Sequence, residues 1–494
     1  MLKVFRIYCF LFYIVFNCPK TNADHNIDQI IEAEIAKVNS DECFKNSTSG
    51  KKCEYKEFSF DKSLVHPKIA ENEAILITDF DLSPAVNVLL YQNRIIGFYS
   101  FDKDGKIVSS NESIIVPRVL GEVLVSIGSL EKVTDKHAAA LLSAINTIYT
   151  GHIPYATSHG FLAYSAMSKF TPHQPVVFLD IKNIFFHNAI PSIFCSIRSE
   201  NDQINLDKLY NQSKIVKEQI LYFYKKHNIK FVNASWGIIL EHIKSDWKRL
   251  CHTAMPEDST LLALLKTYTP IYDALFNTPG VFTSQASFQG DFNHYKEIPF
   301  DIENDKFPNR LRFGVIGQLD HSIPEYGIDT IQPSVEKTPA DENLSDLYLN
   351  TGCVLFQNYN CRESDTHSLR VPLGLGSINE PALVNQSSFV SPLGLAYFIN
   401  IRNNVYNCAA IMSNQLISKI KSNLLSSCKN NSFCKFHDPI GNDFFKPSPF
   451  CGNRGEILAK KVPSNSFFGT LLLACLIIFV LTFFRNKQLL RTNK

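Results

Sequence analysis

Ile75-Leu76-Ile77-Thr78-Asp79-Phe80-Asp81 sets the reading of the rest of the chain. Residues 74–78 are apolar or β-branched without alternation, as in a strand buried on both faces. A carboxylate ends the run. Apolar runs of the same kind stand at 176–181, 230–233, 281–286 and 313–317. Helical patterns at 161–169, 206–227 and 259–276 separate the first four. Strand, helix, strand in repetition predicts βαβ crossovers and so an α/β fold, a parallel sheet with helices on both faces. In such sheets functional residues gather at the carboxyl ends of the strands.

Three polar residues stand at boundaries of that kind. Asp79 ends the first run, and His159-Gly160 opens a helix rich in small residues, Ala163, Ser165 and Ala166. Ser388 lies in Asn385-Gln386-Ser387-Ser388-Phe389-Val390-Ser391-Pro392, just before the apolar run 393–399. Pro392 is expected in the first turn of that helix, where its missing N–H costs little. A serine placed there has its oxygen at the positive end of a helix. Singly, each residue reads as an ordinary cap or turn residue. Jointly they supply what a serine nucleophile needs: an imidazole to take the hydroxyl proton and a carboxylate to fix the tautomer.

Their order and contexts resemble the subtilisin-like serine proteases over residues 75–462, most of the chain. Asp79 matches the family's aspartate after an apolar strand, and His159-Gly160 its His-Gly pair. Thr171-Pro172 and residues 176–182 are similar to the Ala-Pro and strand that follow. Phe231-Val232-Asn233-Ala234-Ser235-Trp236-Gly237 resembles the strand whose Asn-x-Ser-x-Gly lines the substrate groove, which implies groove roles for Ser235, Trp236 and Gly237. Residues 280–290 are similar to the strand ending in the oxyanion-hole asparagine, and 313–320 to a later strand. Gln386-Ser387-Ser388-Phe389-Val390-Ser391-Pro392 falls on Gly-Thr-Ser-Met-Ala-x-Pro, and residues 452–459 resemble the end of the catalytic domain. The resemblance implies a subtilisin-like serine endopeptidase with Asp79, His159 and Ser388 as catalytic triad and Gln289 as oxyanion donor.

The chain also departs from the family. Asp81 replaces a glycine, Phe161 a threonine, and Gln386-Ser387 a Gly-Thr pair. Gln289 carries its amide on a longer arm than asparagine, with Ser287 as second candidate. Loss of one oxyanion donor raises a barrier by about 3–4 kcal/mol, so an imperfect donor implies a slow enzyme. His137 opens another helix rich in small residues and is the alternative base, although no glycine follows it. The same altered flanks suit a catalytically inactive relative that binds peptides or a partner at the cell surface.

Both ends of the chain are apolar. Lys3 and Arg6 precede residues 7–16, and Thr21-Asn22-Ala23 offers small residues for cleavage, so 1–23 reads as a signal peptide. Residues 467–484 are uncharged, near the ~20 residues that span a bilayer. Arg485, Lys487, Arg491 and Lys494 follow, a basic tail (485–494) expected on the cytoplasmic side. The expected organisation is then a Cys-containing arm or short pro-segment (24–67), a peptidase domain (68–462) and one transmembrane helix. The body would lie outside the cytoplasm, in a periplasm, at a cell surface or in a secretory lumen.

Net charge is +2, which gives no basic face for nucleic acid. Of thirteen cysteines, Cys9, Cys18 and Cys475 fall in the terminal segments, which leaves an even ten for an oxidising compartment. Cys43/Cys53, Cys353/Cys361 and Cys428/Cys434 are close enough in sequence for local bridges. There is no Cys-x-x-Cys and no recognisable acidic calcium loop, so no metal or cofactor is expected.

Overall fold

The structure, a computed structural model, describes residues 21–45, 53–60, 62–84, 86–128, 158–168, 170–184, 190–238, 240–287, 307–316, 346–350, 387–406 and 411–426. The chain divides into units 1–449 and 450–494, and every described residue belongs to the first. His137, Gln289, residues 1–20, the apolar segment 467–484 and the basic tail 485–494 lie outside the described residues. So do the pairs Cys353/Cys361 and Cys428/Cys434. Among the described residues no helix is long and apolar enough to cross a membrane.

In chain order the elements are α1 (Thr21–Ser40), β1 (Tyr55–Ser59), β2 (Ala74–Asp79), β3 (Ile95–Phe101), β4 (Ile107–Ser110), β5 (Ser113–Pro117) and α2 (Arg118–Gly128). Next come α3 (His159–Ser168), β6 (Val176–Asp180), α4 (Gln203–Lys226), β7 (Ile229–Ala234), α5 (Leu240–Leu250), α6 (Asp258–Lys266), α7 (Thr269–Asn277) and β8 (Phe282–Ala286). The last are β9 (Arg310–Ile316), β10 (Leu347–Asn350), α8 (Ser387–Val405) and α9 (Asn414–Ser426). The main sheet runs β10-β9-β8-β7-β2-β6-β3-β4, parallel throughout except for the edge strand β4. A separate antiparallel pair joins β1 to β5.

Alternate residues of each strand serve different cores, which is why the apolar runs are unbroken. Ile75, Ile77, Val176, Phe178 and Phe231 pack with α1, α2, α3, α8 and α9. Leu76, Val177, Leu179 and Val232 pack with α4 to α7 on the opposite face. The sequence expectation of an α/β layered fold with a mostly parallel sheet holds. Within 24–67, the span expected as an arm or short pro-segment, lie most of α1, whose Ile31, Ile35 and Val38 are buried in the first core, and β1. Cys43 and Cys53 are bonded as expected. A second bridge, Cys195–Cys251, spans 56 residues and left no signal in local spacing.

Three expectations need correction. The helical pattern 259–276 is two helices, α6 and α7, because Pro270 has no N–H to bond the Lys266 carbonyl four residues earlier and suits the first turn of a new helix. The run 313–317 is part of a strand that starts at Arg310, earlier than its charges suggest. Those charges are buried but partnered. Arg312 binds Asp346 at 3.0 Å, while Arg310 donates to Gln285 and lies over the rings of Phe276 and Phe307. Finally, α8 begins at Ser387, so Ser388 is inside the first turn and Pro392 is the sixth helical residue.

Sheet topology fixes where a crevice forms. From β2 the chain goes to β3 and back to β6, then crosses β2 to β7 and continues outward through β8, β9 and β10. Connections leaving β2 and β7 therefore diverge. A ligand crevice is expected at the carboxyl ends of two such neighbouring strands.

Candidate active site

Asp79 is the last residue of β2 and is 3% exposed. Its Oδ1 accepts the backbone N–H of Phe80 at 2.8 Å and that of Asp81 at 3.4 Å. With one oxygen held by its own turn, the other is aimed: Oδ2 lies 2.8 Å from His159 Nδ1. A proton on Nδ1 satisfies that contact and makes Nε2 the accepting nitrogen. The His159 side chain remains 37% exposed, enough to meet a reactant in the crevice.

Gly160 permits this approach. A Cβ there would stand 2.6 Å from Asp79 Cβ, closer than real carbons come. Its N–H donates to the Asp81 carbonyl at 3.1 Å, which fixes the first turn of α3 over the end of β2. At its other end α3 is held by Arg94, which donates to the Ser168 carbonyl at 3.0 Å, a cation at a helix C-terminus.

Burial pulls the His159 imidazole toward lower pKa. The hydrogen bond to Asp79 and the charges of Asp79 and Asp81 more than offset it, so the net shift is upward from 6.5. Asp180 ends β6 directly beside Asp79 in register. Burial raises the Asp180 carboxyl, the Lys182 N–H and charge oppose this, and Asp79 and Asp81 add to the rise.

Ser388, in the first turn of α8, is tied to the end of the other neighbour of β2. Ser235 immediately follows β7, and the two serines exchange bonds. Ser235 Oγ donates to the Ser388 carbonyl at 2.7 Å, and Ser388 Oγ donates to the Ser235 carbonyl at 3.3 Å. Because β2 and β7 are adjacent, with Ile77 opposite Asn233 and Thr78 opposite Ala234, the two halves stand at neighbouring strand ends. Moreover α3 packs against α8. The structure thus bonds Asp79 to His159 and Ser388 to Ser235, and sets the two pairs at the ends of neighbouring strands.

Trp236 is 6% exposed and is a packing residue. It meets Phe80, Tyr272 and Phe276, and its indole N–H donates to Thr78 Oγ1 at 2.9 Å. Its carbonyl accepts from Gln285 Nε2 at 3.4 Å. The Ser235 and Trp236 carbonyls thus already accept one bond each, while Gly237 is partly exposed. Ser287, the second oxyanion candidate, is 4% exposed, and its N–H donates to the Phe313 carbonyl at 3.0 Å.

Sequence reasoning passed over Asn233, Ser284 and Ser391 as side chains. All three are fully buried and hydrogen-bonded to one another or to α8. The available signal was polarity inside apolar runs, since buried polar groups are almost always paired. Among the described residues no cluster of three or more His, Cys, Asp or Glu could hold a metal ion. Comparison of the chain with protein-family models, curated proteins and solved structures finds no match.

Proposed function

We propose that this chain is a subtilisin-like serine endopeptidase, anchored by residues 467–484 with its body outside the cytoplasm. The observation that carries the proposal is the 2.8 Å contact between buried Asp79 and His159 Nδ1, at the end of the strand next to the one whose end Ser388 is bonded to. His159 Nε2 takes the Ser388 proton as the hydroxyl oxygen attacks a peptide carbonyl, and Asp79 stabilises the imidazolium. The proton then passes to the leaving amine, which departs and leaves an acyl-enzyme. Water, deprotonated by the same ring, releases the acid and restores the serine. Gln289 and the Ser388 N–H are the proposed oxyanion donors. An extended peptide would lie along residues 235–237 as an added strand. No resident cofactor and no nucleic acid enter this scheme.

Labelling of the purified protein by a fluorophosphonate probe tests the proposal. Ser388→Ala should abolish labelling. His159→Ala should slow it by orders of magnitude, while His137→Ala should leave it intact. A natively folded wild type that takes no label refutes the enzyme reading and favours a peptide-binding protein on the same scaffold.

A further inference from the structure

Pro392 cannot donate the N–H that would close a helical turn onto the Ser388 carbonyl four residues earlier. That carbonyl nevertheless has a donor, the hydroxyl of Ser235 at 2.7 Å. Ser235 is itself oriented, for Asn233 Nδ2 donates to its oxygen at 2.8 Å. Asn233 Oδ1 accepts in turn from Ser391 Oγ at 2.9 Å. Ser284 Oγ completes the set by donating to the Ser391 carbonyl at 2.6 Å. Ser235 is 3% exposed, and Asn233, Ser284 and Ser391 are 0% exposed. Water does not compete for these bonds, and their directions follow from one another. Ser391 gives to Asn233, Asn233 gives to Ser235, and Ser235 gives to the Ser388 carbonyl.

We infer that Ser235 is a positioning residue: its hydroxyl stands in for the N–H that Pro392 lacks and so sets where the Ser388 hydroxyl lies. The inference rests on the proposed serine chemistry. Carbonyl and hydroxyl belong to one residue, so a turn of the 388–389 peptide carries Oγ with it. Without Ser235 the carbonyl loses this donor and rotates to find another. With an N–H at position 392 it draws back along the helix axis. Ser388 Oγ leaves its place in both cases. The proline, unexpected so deep in a helix, is what exposes the carbonyl to the strand end.

The test compares wild type, Ser235→Ala, Ser235→Thr, Pro392→Ala and the Ser235→Ala/Pro392→Ala pair. Fluorophosphonate labelling rates are read per native molecule, with the native fraction measured by circular dichroism. Ser235→Ala should lower the saturating labelling rate about a hundredfold, the effect of a displacement near 1 Å, and leave half-saturation unchanged. Ser235→Thr keeps the donor and should restore most of the rate. Pro392→Ala should raise the melting temperature more in the Ser235→Ala background than in wild type, because the new N–H serves an abandoned carbonyl. Wild-type labelling by Ser235→Ala, or equal slowing by Ser235→Thr, overturns the inference. Absence of label on native wild type is a separate result: it removes the serine hydrolase reading and the inference built on it.

Discussion

Substitution of Gly160 by alanine should damage the site through a single methyl group. The added Cβ would lie 2.6 Å from Asp79 Cβ, 3.0 Å from its Cγ and 2.5 Å from Leu82 Cδ2. Carbon atoms rest about 3.5–4.0 Å apart, so the first contact alone demands about 1 Å of movement. The end of Leu82 can swing away. Asp79 Cβ cannot, because it hangs from a strand bonded on both sides, to β6 and β7. The start of α3 must then retreat and take His159 with it, stretching the 2.8 Å contact. A misplacement of about 1 Å costs about a hundredfold in rate. Overpacking costs about 1–3 kcal/mol in stability, which leaves most domains folded. The measurement is the fluorophosphonate labelling rate of Gly160→Ala beside its urea midpoint, with His159→Ala as the floor. Labelling at the wild-type rate would show that the Asp79–His159 contact is not what the reaction uses, and the reasoning would fail.

Asp79→Asn should cut the maximal rate by about 10⁴-fold and shift its rising limb to lower pH, since burial then acts on His159 against Asp81 alone; an unmoved limb refutes this. The same raised pKa stabilises the fold below about 6.5, and that gain is lost as pH rises through the folded value, so urea unfolding of Asp79→Asn should show less of this pH dependence. Arg312→Met should destabilise by about 3–5 kcal/mol because it strands the buried Asp346 carboxylate. Burial pushes the Asp346 pKa up, but Arg312 holds it below 3.8, so this pair's contribution is present above that pH and disappears as pH falls through the folded value. A urea-measured loss near that of an exposed pair, about 1 kcal/mol or less, would count against it.

Strands of the sheet interior were legible because burial on both faces demands unbroken apolar runs: β2, β6, β7 and β8 lie within a residue or two of their expected positions. The hairpin β3–β4 was missed. Its sequence is interrupted by Gly97, and exposed residues make up half of β4. The start of β9 was hidden because two arginines read as surface, while their partners Asp346, Gln285 and Phe276 are distant in sequence. At the site, Asp79 and His159 were legible as boundary residues, and the glycine after the histidine has a cause in the close approach to Asp79. The helix start at Ser388 was legible, but the depth of Pro392 in that helix was not. Position in a turn depends on where the helix starts, and Ser387 begins it without any strong stop before it. The serine and asparagine network was illegible as a unit, because its members come from β7, β8 and α8 and meet only after folding.

The helix N-termini that carry His159 and Ser388 impose opposite demands on what they carry. A positive helix end favours a developing alkoxide at Ser388, which helps the hydroxyl lose its proton. The same end of α3 disfavours a charged imidazole at His159. That penalty is met by carboxylates: Asp79 by contact and Asp81 by charge, enough to carry the ring's pKa above its ordinary value despite burial. Part of this rise therefore comes from Asp81, a charge outside the hydrogen-bonded pair. A base raised in this way stabilises the imidazolium formed during attack, but spends more of the neutral range already protonated. The balance of charges therefore places the working range of the proposed enzyme on the alkaline side of an unperturbed histidine, where the ring is neutral and Ser388 still faces the positive end of α8.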